Sequence, residues 1–358
     1  MKEQYQPKEK FVERIKLLMK DEDEKKFWEI IRTSTRDSIR CNTLKITPEK
    51  LKERLEEKGW KIIQPFKDYP EIMIIENKFF KGELGKSKEH LLGYYYVQEV
   101  SSMLPIIALA PKAGETLLDL CASPGSKTTQ ASAMMNNSGI IMANDNELGR
   151  IRILNTNLER FGVTNTIVTK MDGVFLCSKL KKKTNFKFDK ILVDAPCSGE
   201  GTLRKSPRTL LEWNLNFIKN LSQIQKRLVA EAIRILKVDG EMIYSTCTLA
   251  PEENEGIIQF LIENFDVEIQ EISLPLKSRC GICEWEGKKH SEEVKKACRI
   301  YPQDNDTDGF FLCKLKKLSE KGCEEIEEKK EGRNKYPRKE EVKNTDLEDL
   351  EADLEEEI

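Results

Sequence analysis

The sequence predicts an α/β protein: a mostly parallel sheet with helices on both faces, preceded by a small α+β unit and followed by a charged tail. Three observations predict it. From Gly114 onward short apolar runs alternate with helical patterns, the signature of parallel strands joined by crossover helices. Ahead of that stretch, strand-like and helix-like runs follow one another less regularly, as in a small sheet backed by helices. After Lys317 the chain becomes low-complexity Glu/Lys and ends in DLEDLEADLEEEI. The expected divisions are 1–110, 111–318 and 319–358.

In the first division Phe11–Ile31 carries a helical apolar period on Phe11, Ile15, Leu18, Phe27, Ile30 and Ile31. SIRCNTLKI (38–46) reads as a strand. Thr47 and Pro48 open a helix with a cap and a proline in favoured places, and Gly59 suits its end. EIMIIENK (71–78) is another strand. In the second division TLLDLCA, GIIMAND, NTIVTKMD, FDKILVDAP and GEMIYSTCT read as strands. SKTTQASAMM, ELGRIRILNTNLERFG and most of Leu210–Leu236 read as helices, and Pro251 opens one more in PEENEGIIQFLIENF. The tail has the composition of a disordered segment, with a short amphipathic helix on Leu347, Leu350, Leu354 and Ile358 as an alternative.

The chain has 358 residues, 39% of them hydrophobic, enough for about two domains with a full core. No apolar run approaches the roughly 18 residues of a membrane span, and MKEQYQPKEKFVERIK lacks a signal-peptide core. A cytoplasmic protein without a membrane partner is expected, its ten cysteines mostly reduced. The net charge of −2 hides an asymmetry: residues 319–358 hold 16 acidic and 8 basic side chains, so the rest carries about +6. A mildly basic body is compatible with a polyanionic partner. With only two histidines, His90 and His290, a histidine triad or His-rich metal site has almost no raw material. CGIC at Cys280–Cys283, with His290 and Cys298 following, matches no compact zinc spacing, so no metal is expected.

Ligands on parallel sheets bind beyond the carboxyl ends of the strands, and the notable residues fall at such ends. The first strand runs into LDLCASPGSKTT (118–129), a tight turn into a helix whose free N–H groups receive an anion, with Lys127 adding charge. Neither the three-glycine dinucleotide fingerprint nor the P-loop spacing is present. Asp145 ends the second strand, where an acidic residue commonly grips ribose hydroxyls. Asp172 ends the third, where a carboxylate can meet an adenine amino group. Three consecutive tips favour an adenosine-containing cofactor, and the missing phosphate-binding glycines favour S-adenosylmethionine over NAD.

The fourth and fifth strands deliver VDAPCSGEGTLRKSP (193–207) and YSTCTLAPEENE (244–255), each placing a cysteine just past its tip, Cys197 and Cys247. Two thiols beside a methyl donor suit methylation of cytosine at carbon 5. That carbon is too poor a nucleophile until a thiolate adds at carbon 6. A carboxylate must stabilise the ring as charge builds at N3 and the exocyclic amine, and Asp194 is placed for it. The second thiol then assists proton removal or product release. The target base must be unpaired or flipped out. Candidate RNA contacts are Arg204, Lys205 and Arg208 after the Pro-Cys loop, Arg40 and Lys45 in the N-terminal unit, and the aromatic run Tyr94–Tyr96.

DAPCSGEGTLRK and YSTCTLAPEENE, with CASPGSKTT upstream, resemble the Sun/NSUN (RsmB/NOP-type) family of RNA cytosine-C5 methyltransferases. The likeness covers about residues 35–317, including SIRCNTLKI, YYYVQEVSSMLP and RIYPQDNDTDGFFLCKL. It implies a Rossmann-like class I methyltransferase fold with a seven-stranded, mostly parallel sheet and an N-terminal RNA-binding extension. It implies Cys247 as nucleophile and Cys197 as the thiol assisting product release. It places S-adenosylmethionine on Cys121, Ala122, Ser123, Pro124, Gly125, Ser126, Lys127, Asp145, Asp172 and Asp194. One departure is Gln303, where many relatives carry His. The implied substrate is tRNA or rRNA; a monomer is expected. Two alternatives remain open: a DNA cytosine-C5 methyltransferase with the Pro-Cys thiol as nucleophile, and a non-catalytic RNA-binding assembly factor.

Overall fold

The computed structural model describes residues 6–77, 79–80 and 82–323. The first apolar period makes two helices, α1 (Glu9–Leu18) and α2 (Asp21–Ile31). Met19 and Lys20 are extended, and Asp21, Glu22, Asp23 and Glu24 fill the first turn of α2, where the helix dipole favours negative charge. Phe11, Ile15, Phe27 and Ile31 are buried against Leu203, Leu210, Trp213, Leu249 and Tyr301. These two helices therefore pack on the second half of the chain.

The small sheet follows: β1 (Asp37–Cys41), α3 (Pro48–Glu56), β2 (Ile62–Ile63), β3 (Ile72–Ile75), α4 (Lys88–Leu91) and β4 (Tyr95–Val97). Its strands run antiparallel in the order β2-β3-β1-β4. Ile39, Leu51, Leu55, Met73 and Tyr95 form its core. Thr47 caps α3 by accepting from Lys50 N, with Pro48 in the first turn. β1 stops short of the expected residue 46 because Asn42 turns the chain, donating through Nδ2 to Gly93 O (2.8 Å) and Phe161 O (2.9 Å).

The large sheet is built from α5 (Val100–Leu109), β5 (Thr116–Asp119), α6 (Ser126–Met134), β6 (Ile140–Asp145), α7 (Leu148–Phe161), β7 (Thr166–Lys170), α8 (Gly173–Thr184), β8 (Phe188–Asp194), α9 (Thr209–Glu212), α10 (Leu215–Arg234), β9 (Leu236–Thr246) and α11 (Glu255–Asn264). It is completed by β10 (Val267–Gln270), β11 (Arg279–Cys280), the hairpin β12 (Glu284–Trp285) and β13 (Lys288–Lys289), β14 (Cys298–Ile300), α12 (Pro302–Asn305) and β15 (Phe310–Lys317). The strand order is β11-β14-β15-β9-β8-β5-β6-β7, with β10 also paired to β15. The five strands from β9 to β7 are parallel, and β15 returns antiparallel to β9. The sheet holds nine strands instead of seven because β14 and β11 extend it beyond β15. Val100–Leu109 packs on one face with Leu117, Ile141, Leu192 and Ile243. Leu228, Val229 and Ile233 of α10 cover the other with Ile191 and Val193.

Three further differences have local causes. α8 has no counterpart in the sequence reading, since it buries little beyond Gly173, Leu176 and Cys177 and so shows a weak period. The helix expected at Pro251 starts at Glu255, because residues 251–254 form turns. The tail's first residues dock: Ser319 Oγ donates to Asp266 (2.6 Å), Lys181 Nζ donates to Cys323 O (2.6 Å), and Cys323 joins the core. The expected helix on Leu347–Ile358 lies outside the described residues. No described helix is long and apolar enough to cross a membrane.

Candidate active site

The turn between β5 and α6 is held from two sides. Ala122 N donates to Asn144 O (2.8 Å), and Ser123 N to Asp145 Oδ2 (3.3 Å). From α7, Arg150 donates to Ser123 O (2.7 Å) and Asn157 to Pro124 O (2.9 Å). Gly125 has φ +105, and a Cβ there would stand 2.8 Å from Leu154 Cδ1, so the turn needs glycine. Asn144, which sequence reasoning passed over, ties three strand tips together: its Nδ2 donates to Leu120 O (3.1 Å) and Met171 O (3.0 Å). Asp145 is buried at its strand tip. Asp172 caps α8, accepting from Phe175 N.

Two buried polar atoms of this turn, Asp119 Oδ1 and Ser123 Oγ, have no hydrogen-bond partner in the protein. Such atoms suit a small polar ligand. Burial pushes the Asp119 carboxyl up to about 7, against the opposing hydrogen bond from Thr128. Burial likewise holds the Cys121 thiol well above its usual range. These residues fit S-adenosylmethionine.

The thiols meet at the next two tips. Cys197 Sγ and Cys247 Sγ lie 3.3 Å apart, both half-buried. Contact with Cys247, then burial, pushes the Cys197 thiol well above its usual range. Asp194 stands between thiols and turn: its Oδ2 pairs with Lys127 Nζ at 2.7 Å and its Oδ1 accepts from Ser245 Oγ at 2.7 Å. Lys127 also donates to Ser102 Oγ (3.1 Å) and lies over the Phe310 ring. The fold thus joins the turn to the fourth strand tip through the Lys127–Asp194 pair and brings the two thiols together at the fourth and fifth tips. A cavity of about 490 Å³ opens elsewhere, among Lys112, Asp189, Lys237 and Lys314 near the opposite strand ends, and shares none of the site's residues.

A buried polar layer that the sequence reading did not assign supports the thiol loops. Glu253, Asn254 and Glu255 are fully buried. Glu253 accepts from Ser198 N, Ser198 Oγ and Gln225 Nε2. Asn254 Nδ2 donates to Thr248 O (3.0 Å). Glu255 pairs with buried Arg299 through both oxygens at 2.5 Å, and Arg299 donates on to Leu249 O. PEENE was the available signal, since consecutive acids beside apolar helix residues must find partners if buried.

The expected RNA contacts divide. Arg40 is buried, donating to Ser126 O (2.7 Å) and Thr129 Oγ1 (2.8 Å), so it braces the small sheet against α6 instead of facing solvent. Arg204 has a side chain 1% exposed, bound to Thr33, Ser34 O and Asp306. It too is a brace. Tyr95 and Tyr96 are buried, so neither offers an open stacking face. Lys45, Lys205 and Arg208 are exposed. Lys205 reaches Asp308 at 3.5 Å, Arg208 reaches Glu212 at 3.6 Å, and Lys45 donates to Arg160 O. Among the described residues no cluster of three or more His, Cys, Asp or Glu has metal-binding geometry.

Residues 106–316 match the family described as 16S rRNA methyltransferase RsmB/F. The chain belongs to the RsmB/F methyltransferase family. Residues 8–100 match the N-terminal domain of 16S rRNA methyltransferase RsmF. A tRNA (cytosine(49)-C(5))-methyltransferase of Pyrococcus abyssi is 40% identical over 308 residues, covering 86% of this chain and 96% of that protein. Ribosomal RNA small subunit methyltransferase F of Vibrio cholerae is 37% identical over 292 residues, 79% of this chain and 58% of that protein. A solved methyltransferase homolog from Pyrococcus horikoshii superposes with TM-score 0.77 at 34% identity, covering 88% of this chain and 97% of that one. As a member of RsmB/F, the chain is an enzyme, an RNA cytosine-C5 methyltransferase.

Proposed function

We propose that this enzyme methylates carbon 5 of a cytosine in tRNA or rRNA through a transient bond from Cys247 to carbon 6, acting as a monomer in the cytoplasm. The observation that carries the reading is the 3.3 Å approach of two thiols, beside a carboxylate paired with a buried lysine. Cys247 stands in the Thr-Cys motif, where the family resemblance implies the nucleophile, so Cys247 is the sulfur that attacks. Its addition to carbon 6 turns carbon 5 into an enamine-like nucleophile. Bound S-adenosylmethionine supplies an electrophilic methyl group. Cys121–Lys127, Asp145, Asp172 and Asp194 would hold it. Asp194 would also accept a hydrogen bond from the exocyclic amine, with Lys127 fixing its orientation and offsetting its charge as electron density builds on the ring. Loss of the carbon-5 proton and cleavage of the S–C6 bond free the product, with Cys197 assisting. Exposed Lys45, Lys205 and Arg208 would contact the RNA backbone.

Transfer RNA is the favoured substrate class, because the tRNA methyltransferase of Pyrococcus abyssi matches 86% of this chain at 40% identity, against 79% at 37% for the rRNA enzyme of Vibrio cholerae. Trapping tests the mechanism. RNA containing 5-azacytidine should form a denaturation-resistant adduct with wild type and with Cys197→Ala, and none with Cys247→Ala. An adduct lost only in Cys197→Ala would reverse the two roles. Bisulfite sequencing of RNA from a strain lacking the enzyme would identify the substrate.

A further inference from the structure

Glu253 lies one turn beyond Cys247 and touches neither sulfur, yet the segments that carry both thiols converge on it. Ser198, which follows Cys197, donates its N–H to Glu253 Oε2 at 3.0 Å and its hydroxyl to Oε1. Pro196, which precedes Cys197, is held by Gln225 Nε2 at 2.9 Å, and the same nitrogen donates to Glu253 Oε2 at 2.8 Å. Thr248, which follows Cys247, meets Ser198 Oγ at 2.7 Å through its hydroxyl. Tyr244 of β9 donates to Glu253 O at 2.5 Å. Cys197 itself sits in a loop, and its two chain neighbours are both anchored on this Glu253–Gln225 pair.

We infer that Glu253 is a positioning residue that sets Cys197 against Cys247, and so times release of the covalent product rather than its formation. The second clause rests on the function proposed above; the first does not. The Cys247 side has its own supports in Asn254, Glu255 and Arg299. Loss of Glu253 therefore loosens chiefly Cys197. Burial raises the Glu253 carboxyl to about 7, but the network does not require its charge. With a proton or an amide nitrogen at Oε1, that group donates to Ser198 Oγ. The Ser198 hydroxyl then turns to Thr248 Oγ1, and the Thr248 hydroxyl to Glu200 Oε2, 3.3 Å away. Glutamine at 253 keeps every side-chain contact; alanine loses all of these and keeps only the main-chain bond from Tyr244.

Two readouts on the full-length enzyme test this. The first is independent of catalysis: the rate at which diamide, which takes up both thiol hydrogens, closes a Cys197–Cys247 disulfide. Glu253→Ala should slow closure about tenfold or more, and Glu253→Gln should keep the wild-type rate within about threefold, the scale of half a kcal/mol in hydrogen bonding. The second uses total RNA from a deletion strain and methyl-tritiated S-adenosylmethionine. Glu253→Ala should lower steady-state turnover about 10²-fold, the cost of roughly 1 Å of misplacement, while the adduct accumulates as in Cys197→Ala. Glu253→Gln should turn over normally. Should Glu253→Ala not fold, Gln225→Leu carries the test, with the same slowing at smaller amplitude. Unchanged disulfide closure in the severed variant, or Glu253→Gln as impaired as Glu253→Ala, would overturn the inference. If Cys197→Ala accumulates no adduct, the release role of Cys197 fails instead, and disulfide closure still decides the positioning of the thiols.

Discussion

Replacing Gly201 by alanine should disable the enzyme by moving the backbone of Cys247. Gly201 N donates to Cys247 O at 2.8 Å, and Gly201 O accepts from Gly309 N at 2.9 Å, so three chain segments meet without a side chain between them. A Cβ at 201 would stand 2.3 Å from Gly309 O and 2.7 Å from Cys247 O. Relief to ordinary contact distance requires about 1 Å of movement at Gly309 and several tenths of an ångström at Cys247, in a close-packed interior. Both obstacles are backbone, so no rotamer change absorbs them. Overpacking of this kind costs about 1–3 kcal/mol, and a misplacement approaching 1 Å at the nucleophile costs about 10²-fold in rate. Single-turnover methyl transfer to RNA from a deletion strain, run beside a urea unfolding curve, measures both. A wild-type rate with an unchanged midpoint would refute the reasoning.

Arg299→Met leaves Glu255 as an uncompensated buried charge and should destabilise the fold by about 3–5 kcal/mol in urea unfolding; adding Glu255→Leu should recover part of that loss. Asp119 has a carboxyl raised from 3.8 to about 7, so the folded state holds a proton that the unfolded chain releases, and the stability this contributes is lost as pH rises from about 4 to 7. Asp119→Asn removes that dependence, so its stability relative to wild type should grow between pH 5 and pH 8; a constant difference would contradict the assignment. Lys127→Met strips Asp194 of its cation at 2.7 Å and should lower single-turnover methyl transfer by about 10²–10³-fold, with full-length folded protein still recovered.

The strand tips were legible because they rest on chain order alone. Alternating apolar runs place Asp145, Asp172, Asp194, Cys197 and Cys247 beyond the carboxyl ends of parallel strands, and in the structure Cys197 meets Cys247 and Asp194 pairs with Lys127. The supporting layer was not legible, because its partners are remote in sequence. Glu255 finds Arg299 across 44 positions, and Glu253 finds Ser198 across 55. Arg40 and Arg204 illustrate the same limit: a basic residue in a sequence carries no sign of whether a carbonyl awaits it. α8 was missed because a helix that buries only one narrow stripe leaves a weak period. The α1–α2 pair was expected to sit with the small sheet because neighbours in sequence usually pack together, whereas Trp213 and Tyr301 offered its aromatic residues a better surface.

That pair of helices changes what can be cut from the molecule. Arg14 of α1 grips Glu252 at 2.7 Å and lies 4.9 Å above the Trp285 ring, directly beside the acidic run that carries Glu253. Trimming the chain at about residue 35 to isolate a minimal enzyme would uncover Leu203, Trp213 and Leu249, apolar side chains on the segments that carry the two cysteines, so the pair is not a detachable handle. A chimera given a foreign recognition module should therefore be spliced after the second helix, leaving that cover in place.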